Sequence, residues 1–482
     1  MKQLILLIAL ILTTISRAQW SSDVRLTNEL GISGFSPQGR HLAVSGSMLH
    51  LVWEDDRHGK GNYEVYYKNS TNGGISWGSD IRLTNTSAIS RSSTIAVSGS
   101  VIHVVWMEDF WKPVILYRRS TDGGNSWSSD MALSQATTGF RRFPTIEALG
   151  EFVHVVWHDN RSGIFEIYYK RSTDGGITWS QDIQLTNDAV FFSGFPDVAV
   201  DGSSVYVVWH KADNEVETEI YYKRSSDYGI SWSKNTRLTY ANGWSEHPSI
   251  AALNGLVHVV WMDGRNGNDE ILYKRSSDNG LTWSGDNFLT NNQSESWFPK
   301  VVASNQLIHV VWYDKRDGNY EIYYINSTNY GINWGENIRL TIDPAQSLNP
   351  SLAVSGTALH VVWHDDRDGG GYEVYYKTNP NGNQTSIEKI NTYLPVEYSL
   401  SQNYPNPFNA STIIKFELPV DGFVNFSIYD ILGREVEVLI NEQLSRGIYE
   451  ILINANDLAS GIYYYRLKTL GFTQARSFVI VR

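Results

Sequence analysis

A short run ending in tryptophan recurs along this chain at intervals of 51 to 53 residues, and that period constrains the fold more than any other feature. The run reads HLVW at Trp53, HVVW at Trp106, Trp157, Trp261, Trp312 and Trp363, and YVVW at Trp209. A segment such as TIAVSG (Thr94–Gly99) comes before it, and an aromatic run such as EIYYK (Glu166–Lys170) comes after it. A turn and a WSxDxRLT segment complete the unit. We letter the segments A to D, with the tryptophan run as B. All four are short, rich in Val, Ile, Tyr and Trp, and divided by Gly, Asn, Asp and Ser, which is the pattern of strands and turns. No part of the unit has the apolar period of a helix. Four antiparallel strands in each ~50-residue repeat predict a β-propeller, because one such sheet cannot bury its faces alone.

Segments A, B and C each occur seven times, whereas D follows its own C segment six times. The seventh C segment, Tyr372–Lys377, runs into TNPNGNQTS, which has neither Trp nor RLT. The missing D segment stands at the other end of the chain, as WSSDVRLTN from Trp20 to Asn28. Trp20–Asn28 is therefore expected to pair with Tyr372–Lys377 and cover an edge that would otherwise stay open. The predicted fold is all-β: a seven-bladed β-propeller closed by an N-terminal strand, followed by a small β-sandwich.

Residues 1–18 have the form of a secretory signal peptide. Lys2 gives the charged start, Leu4–Ile15 the apolar run and Ser16-Arg17-Ala18 the cleavage site. The propeller is expected over 19–378, a polar linker over 379–393 and a last domain over 394–482. The formal charge is −12 without a basic run, which argues against nucleic acid and anionic lipid as partners. There is no cysteine, so an exported chain of this kind relies on its cores rather than on disulfides. No cofactor is expected, no residue set has metal-ligand spacing, and the protein is expected to be a monomer.

The C–D turn carries the motif S-x-D-x-G-x-x-W. Asp122, Asp174, Asp227 and Asp278 hold its acidic position, and Asn72 and Asn329 replace them in two copies. These are Asp boxes, and the repeat resembles the BNR repeats of sialidase-like propellers. A structural role accounts for the motif. The short side chain accepts backbone N–H groups, glycine supplies the turn, and tryptophan fills the space between sheets. The resemblance implies boxes on the face opposite any active site. Sialidases need a Tyr–Glu pair, an acid/base Asp and three Arg. The nearest match to their Arg-Ile-Pro motif is Phe140-Arg141-Arg142-Phe143-Pro144, in the third repeat.

The B–C loops and D–A connectors fall on the other face. Five loops share W-x-D-x-R, with a Glu opening segment C (Asp55/Arg57/Glu64 is one set), and each Arg is expected to pair locally with its Asp and Glu. Sites are expected where a repeat breaks its own rule. In the second repeat Phe110-Trp111-Lys112-Pro113 replaces the polar loop, and the connectors add aromatic residues. Phe110, Trp111, Arg142, Trp244 and Trp297 are the candidate ligand contacts, since aromatic faces flanked by polar groups suit sugar rings. No catalytic residue is singled out.

The final stretch carries Tyr404-Pro-Asn-Pro-Phe408-Asn, Ile428-Tyr-Asp430-Ile-Leu-Gly-Arg434 and Leu458-Ala-Ser-Gly-Ile-Tyr463 in order. It resembles the C-terminal sorting domain of type IX secretion cargo. That resemblance implies passage through the periplasm, then release or attachment at the outer-membrane surface, with the secretion machinery as a partner of 394–482. The function read from the sequence is a secreted binding module for a glycan or a surface protein. The alternative is an exo-sialidase or another glycoside hydrolase.

Overall fold

The computed structural model describes residues 20–481 except Leu30, Phe110, 135–138, Ala189, 213–216, 381–386, 392–394, Ala410, Ser445 and 455–459. The leader read at 1–18 and the candidate Phe110 lie outside the described residues. These are all-β, with no helix. The chain divides into two compact units, Trp20–Gly382 and one that includes Asn383–Arg482.

The larger unit holds seven antiparallel sheets among the described residues. The third consists of Arg141–Leu149, Phe152–Asp159, Glu166–Ser172 and Ile183–Gln184, which are segments A to D in order. Segment D contributes only two residues to the ladder in each sheet, fewer than its eight-residue motif suggests. The A strand of each sheet packs on that of the next, and Ser347–Ser355 packs back on Leu42–Ser45, so the series closes on itself. The seven B-strand tryptophans are wholly buried. Each box tryptophan meets a tyrosine of the preceding sheet edge-on. Trp127–Tyr67 lies at 4.9 Å, Trp179–Tyr117 at 5.0 Å and Trp77–Tyr376 at 5.2 Å.

Val24–Arg25 is the outer strand of the last sheet, with Val24 opposite Tyr376 and Arg25 opposite Tyr375. Ser21 N–H to Thr378 O (2.8 Å) and Leu26 N–H to Val374 O (2.7 Å) extend the pairing. The first sheet differs in its A segment, which is split into Ser33–Gly34 and Leu42–Ser45. The residues between reach across to the fourth and fifth sheets. Arg40 Nη2 donates to Val198 O at 3.1 Å and to Ile250 O at 2.9 Å.

The C-terminal unit has two four-stranded sheets. Phe416 and Ile451 from one, and Phe426, Tyr465 and Phe478 from the other, belong to one apolar core. One expectation is corrected here. Ile387–Asn391, inside the stretch read as a linker, pairs with Gly447–Asn454. Two isoleucines in five residues suit a strand better than a solvated tether.

Candidate functional site

The Asp boxes form closed local networks. Asp174 Oδ1 accepts the Thr178 N–H at 2.9 Å and the Ser172 hydroxyl at 2.7 Å, and Ser172 Oγ accepts the Gly176 N–H at 2.9 Å. These donors hold Asp122 and Asp174 down at about 2, and lower Asp227 and Asp278 as well. Asn72 and Asn329 accept the equivalent N–H groups, from Ser76 at 2.9 Å and Asn333 at 2.8 Å. The histidine that opens each HLVW or HVVW run has its Nδ1 engaged by a tyrosine hydroxyl. His154 Nδ1, for example, lies 2.7 Å from the Tyr169 hydroxyl.

The W-x-D-x-R loops are stapled as well, though not wholly as expected. Arg161 pairs with Asp159, and also with Asp182 of segment D at 2.7 Å. The glutamate goes elsewhere. Glu64 takes Arg82 (2.9 Å) and Thr84 from the RLT triplet, because segment D lies beside segment C, while the loop arginine reaches the aspartate at the start of the same segment.

The B–C loop face opens into a cavity of about 320 Å3 lined by Gly34, Glu54, Tyr63, Arg91, Arg142 and Tyr372, among others. Its origin is a β-bulge shared by the A strands. The register shifts between Arg91 and Thr94 and between Arg142 and Thr145, and the bulge residues Ser92 and Phe143 take positive φ. The position before the bulge is Gly34, Arg91, Arg142, Gly194, Glu246, Trp297 and Leu348 in the seven sheets. Two adjacent arginines are thus flanked by glycines. At the bulge itself, Ser92 stands where Phe143, Phe195, His247 and Phe298 fill the neighbouring sheets. Phe143, which lines the cavity, stacks on Phe195 at 4.6 Å, and Phe195 meets His247 at 4.7 Å, so a row of rings runs on from the cavity wall. The small residues leave the gap.

Glu54 lies opposite Gly34 in the strand pair, so no side chain covers it from that strand. It is buried, accepts the Ser93 N–H at 3.1 Å, and is pushed up to about 7 by burial. The Arg91 guanidinium lies 3.8 Å from the Tyr63 ring centroid, and its buried Nε has no hydrogen-bond partner. Arg142 lies 5.2 Å over Phe140. The site therefore presents two guanidiniums, two phenols and one carboxyl that changes charge near neutrality. No cluster of three or more His, Cys, Asp or Glu suited to a metal occurs among the described residues.

Of the sequence candidates, Arg142 lines this cavity. Trp111 is 77% exposed and is not part of the lining. Trp244 and Trp297 come together elsewhere on the face, both donating to Asp269. Sequence reasoning missed Glu54, Tyr63, Arg91 and Tyr372. The signal was available in the residue after the B-strand tryptophan, which is Glu54, Met107, His158, His210, Met262, Tyr313 and His364 in turn. Glu54 is the one carboxyl in that column.

Residues 402–481 match the family model described as the secretion system C-terminal sorting domain. The chain thus ends in a type IX sorting domain, which marks it for export or display at the outer-membrane surface and for interaction with the secretion machinery. No curated protein matches the chain. Among solved structures, a polysaccharide lyase of family PL25, an ulvan lyase, is 11% identical, with 72% of this chain and 94% of that one covered and a TM-score of 0.52. Polysaccharide lyase Uly1 is 10% identical over 74% of this chain and 99% of that one, with a TM-score of 0.51. The Hadza microbial sialidase Hz136 is 14% identical over 58% and 63% respectively, with a TM-score of 0.42. The likeness to the lyases is one of fold, an all-β assembly of propeller type.

Proposed function

We propose that this chain is an exported seven-bladed propeller that binds an acidic glycan in the cavity beside Arg91 and Arg142. A leader at 1–18 takes it to the periplasm, the N-terminal strand closes the ring, and a C-terminal β-sandwich carries it outward. One observation carries the reading: two arginines at adjacent pre-bulge positions, flanked by Gly34 and Gly194, line a cavity with the rings of Phe35, Tyr63, Phe143 and Tyr372. Guanidinium forks suit carboxylates and sulfates, and fixed aromatic rings suit the C–H faces of sugars. The net charge of −12 adds no general attraction for anions, so affinity for one has to be local. A glycan array containing uronate, sialate, sulfated and neutral sugars tests this. Retention of acidic sugars that Arg91→Ala abolishes is the expected result. Equal retention of neutral sugars would refute the reading.

A second reading, cleavage of a glycosidic bond, is favoured by Glu54. A carboxyl held at about 7 beside Tyr63 has the protonation behaviour of a general acid–base. Turnover of a chromogenic sialoside or uronide that Glu54→Gln removes, with binding retained, would make the protein an enzyme.

A further inference from the structure

The B–C loop face carries a second arrangement that core packing explains only in part: Trp297 and Tyr320 lie partly buried against an apolar cluster, whereas Trp244 stands exposed. Trp244 Nε1 donates to Asp269 Oδ1 at 2.7 Å, and Trp297 Nε1 donates to Asp269 Oδ2 at 2.6 Å. One carboxylate, with an oxygen on each ring, fixes two indoles. Trp244 remains 41% exposed, and its ring sits so close over Gly264 that a Cβ there would overlap it. Trp297 stacks on Tyr320 at 5.5 Å, and the Tyr320 hydroxyl lies 3.0 Å from Glu295 Oε2. The Lys315 ammonium is 5.4 Å from the Tyr320 ring centroid. With both N–H groups tied to Asp269, Trp244 keeps an exposed ring while Trp297 lies partly buried against Tyr320, and carboxylates and an ammonium surround them. Such a surface matches a pyranose, whose C–H face stacks while its hydroxyls reach polar groups at the rim.

A chain of ring contacts links the platform to the cavity. Trp297 holds in the sixth sheet the pre-bulge position that Arg91 and Arg142 hold in the second and third. Tyr313, opposite Trp297, meets Trp297 at 6.0 Å, Tyr320 at 5.3 Å and Phe298 at 5.7 Å. From Phe298, ring contacts run through His247 and Phe195 to Phe143 in the cavity wall.

We infer that Trp244, Trp297 and Tyr320 form a second sugar subsite, and that the ligand is an oligosaccharide long enough to occupy both places rather than a single terminal sugar. The inference rests on the cavity being a sugar site, and the experiment separates the two. Oligouronates of increasing length, from the monosaccharide upward, are titrated calorimetrically into the exported chain. A gain of about tenfold in affinity with length is expected. Trp244→Ala and Trp297→Ala each remove that gain and leave monosaccharide binding unchanged, while Arg91→Ala removes both. Trp244→Phe keeps a stacking face and retains most of the gain. If the pair only braced the connectors through Asp269, Phe and Ala would lower the melting temperature alike and leave the length dependence intact. Affinity that is flat with chain length, or a gain indifferent to both tryptophans, overturns the subsite alone. A wild-type protein that binds no member of the series overturns the cavity reading together with it.

Discussion

Asp23 and Arg367 form an ion pair of 2.7 Å across 344 residues of sequence. The second Asp23 oxygen meets Lys377 at 2.8 Å. Other sheets build the same set within a single repeat: Asp80 with Arg57 and Lys68, Asp182 with Arg161 and Lys170, and Asp286 with Arg265 and Lys274. The N-terminal segment thus replaces a missing outer strand both in side-chain chemistry and in backbone pairing. Asp23→Ala should cost about 1–3 kcal/mol, since it leaves two half-buried cations without their shared partner. Removing Trp20–Asn28 should cost more, and a synthetic WSSDVRLTN peptide should restore part of the lost melting temperature.

Within a box, substitution should discriminate between chemistry and charge. Asp174→Asn should be close to neutral, because Asn72 and Asn329 already make the same backbone contacts. Asp174→Ala should cost about 1–2 kcal/mol. Gly176→Ala should be the most damaging. Its φ is +82°, and a Cβ there would overlap the Tyr117 hydroxyl, so a cost of about 3 kcal/mol or more follows. Chemical denaturation of the three variants checks the order.

Acid should unfold this protein steeply. Burial holds His41, His154, His158, His210 and His258 at about 3, and His50, His103, His309, His360 and His364 at about 4. Below pH ~6.5 the unfolded chain takes up protons that the folded chain refuses, so stability present above that pH is lost as pH falls toward 4. Melting curves between pH 8 and 4 should show it. Replacing His210 by an uncharged residue of similar size should reduce the slope.

Glu54 works in the opposite direction. Its carboxyl is raised to about 7, so the stability it contributes is complete below the ordinary carboxylate range and is lost as pH rises through about 7. Its charge faces the same cavity as Arg91. Protonation therefore leaves the arginines less neutralised, and affinity for an acidic sugar should rise as pH falls from 8 to 6. In Glu54→Gln the affinity should stay flat over that range, apart from any ionisation of the ligand itself.

The sheet-forming pattern was legible because each repeat carries its own turn residues and its own strand period. The Val24–Arg25 pairing could be reached by counting segments. The site was less visible. Trp111, Trp244 and Trp297 attract notice as large aromatic residues in or beside loops, yet the cavity arises from small ones. Gly34 and Ser92 make room by omission, which a search for chemical groups passes over. Arg91 sits inside a plain SRSST stretch, and its relation to Arg142 depends on two bulges lining up in neighbouring sheets. Glu54 was hidden between Trp53 and Asp55, where the W-x-D-x-R motif treats it as a spacer.

The central claim, that Arg91 and Arg142 hold an acidic group of a sugar, is tested most directly by calorimetric titration of one uronide and its carboxyl-reduced, neutral counterpart. Loss of the charge should weaken binding by about tenfold or more, as expected for charge-assisted hydrogen bonds worth ~1.5–3 kcal/mol. Arg91→Ala should bring the two ligands to the same weak affinity. Equal binding of both by the wild-type protein, or a preference that survives Arg91→Ala, would contradict the account.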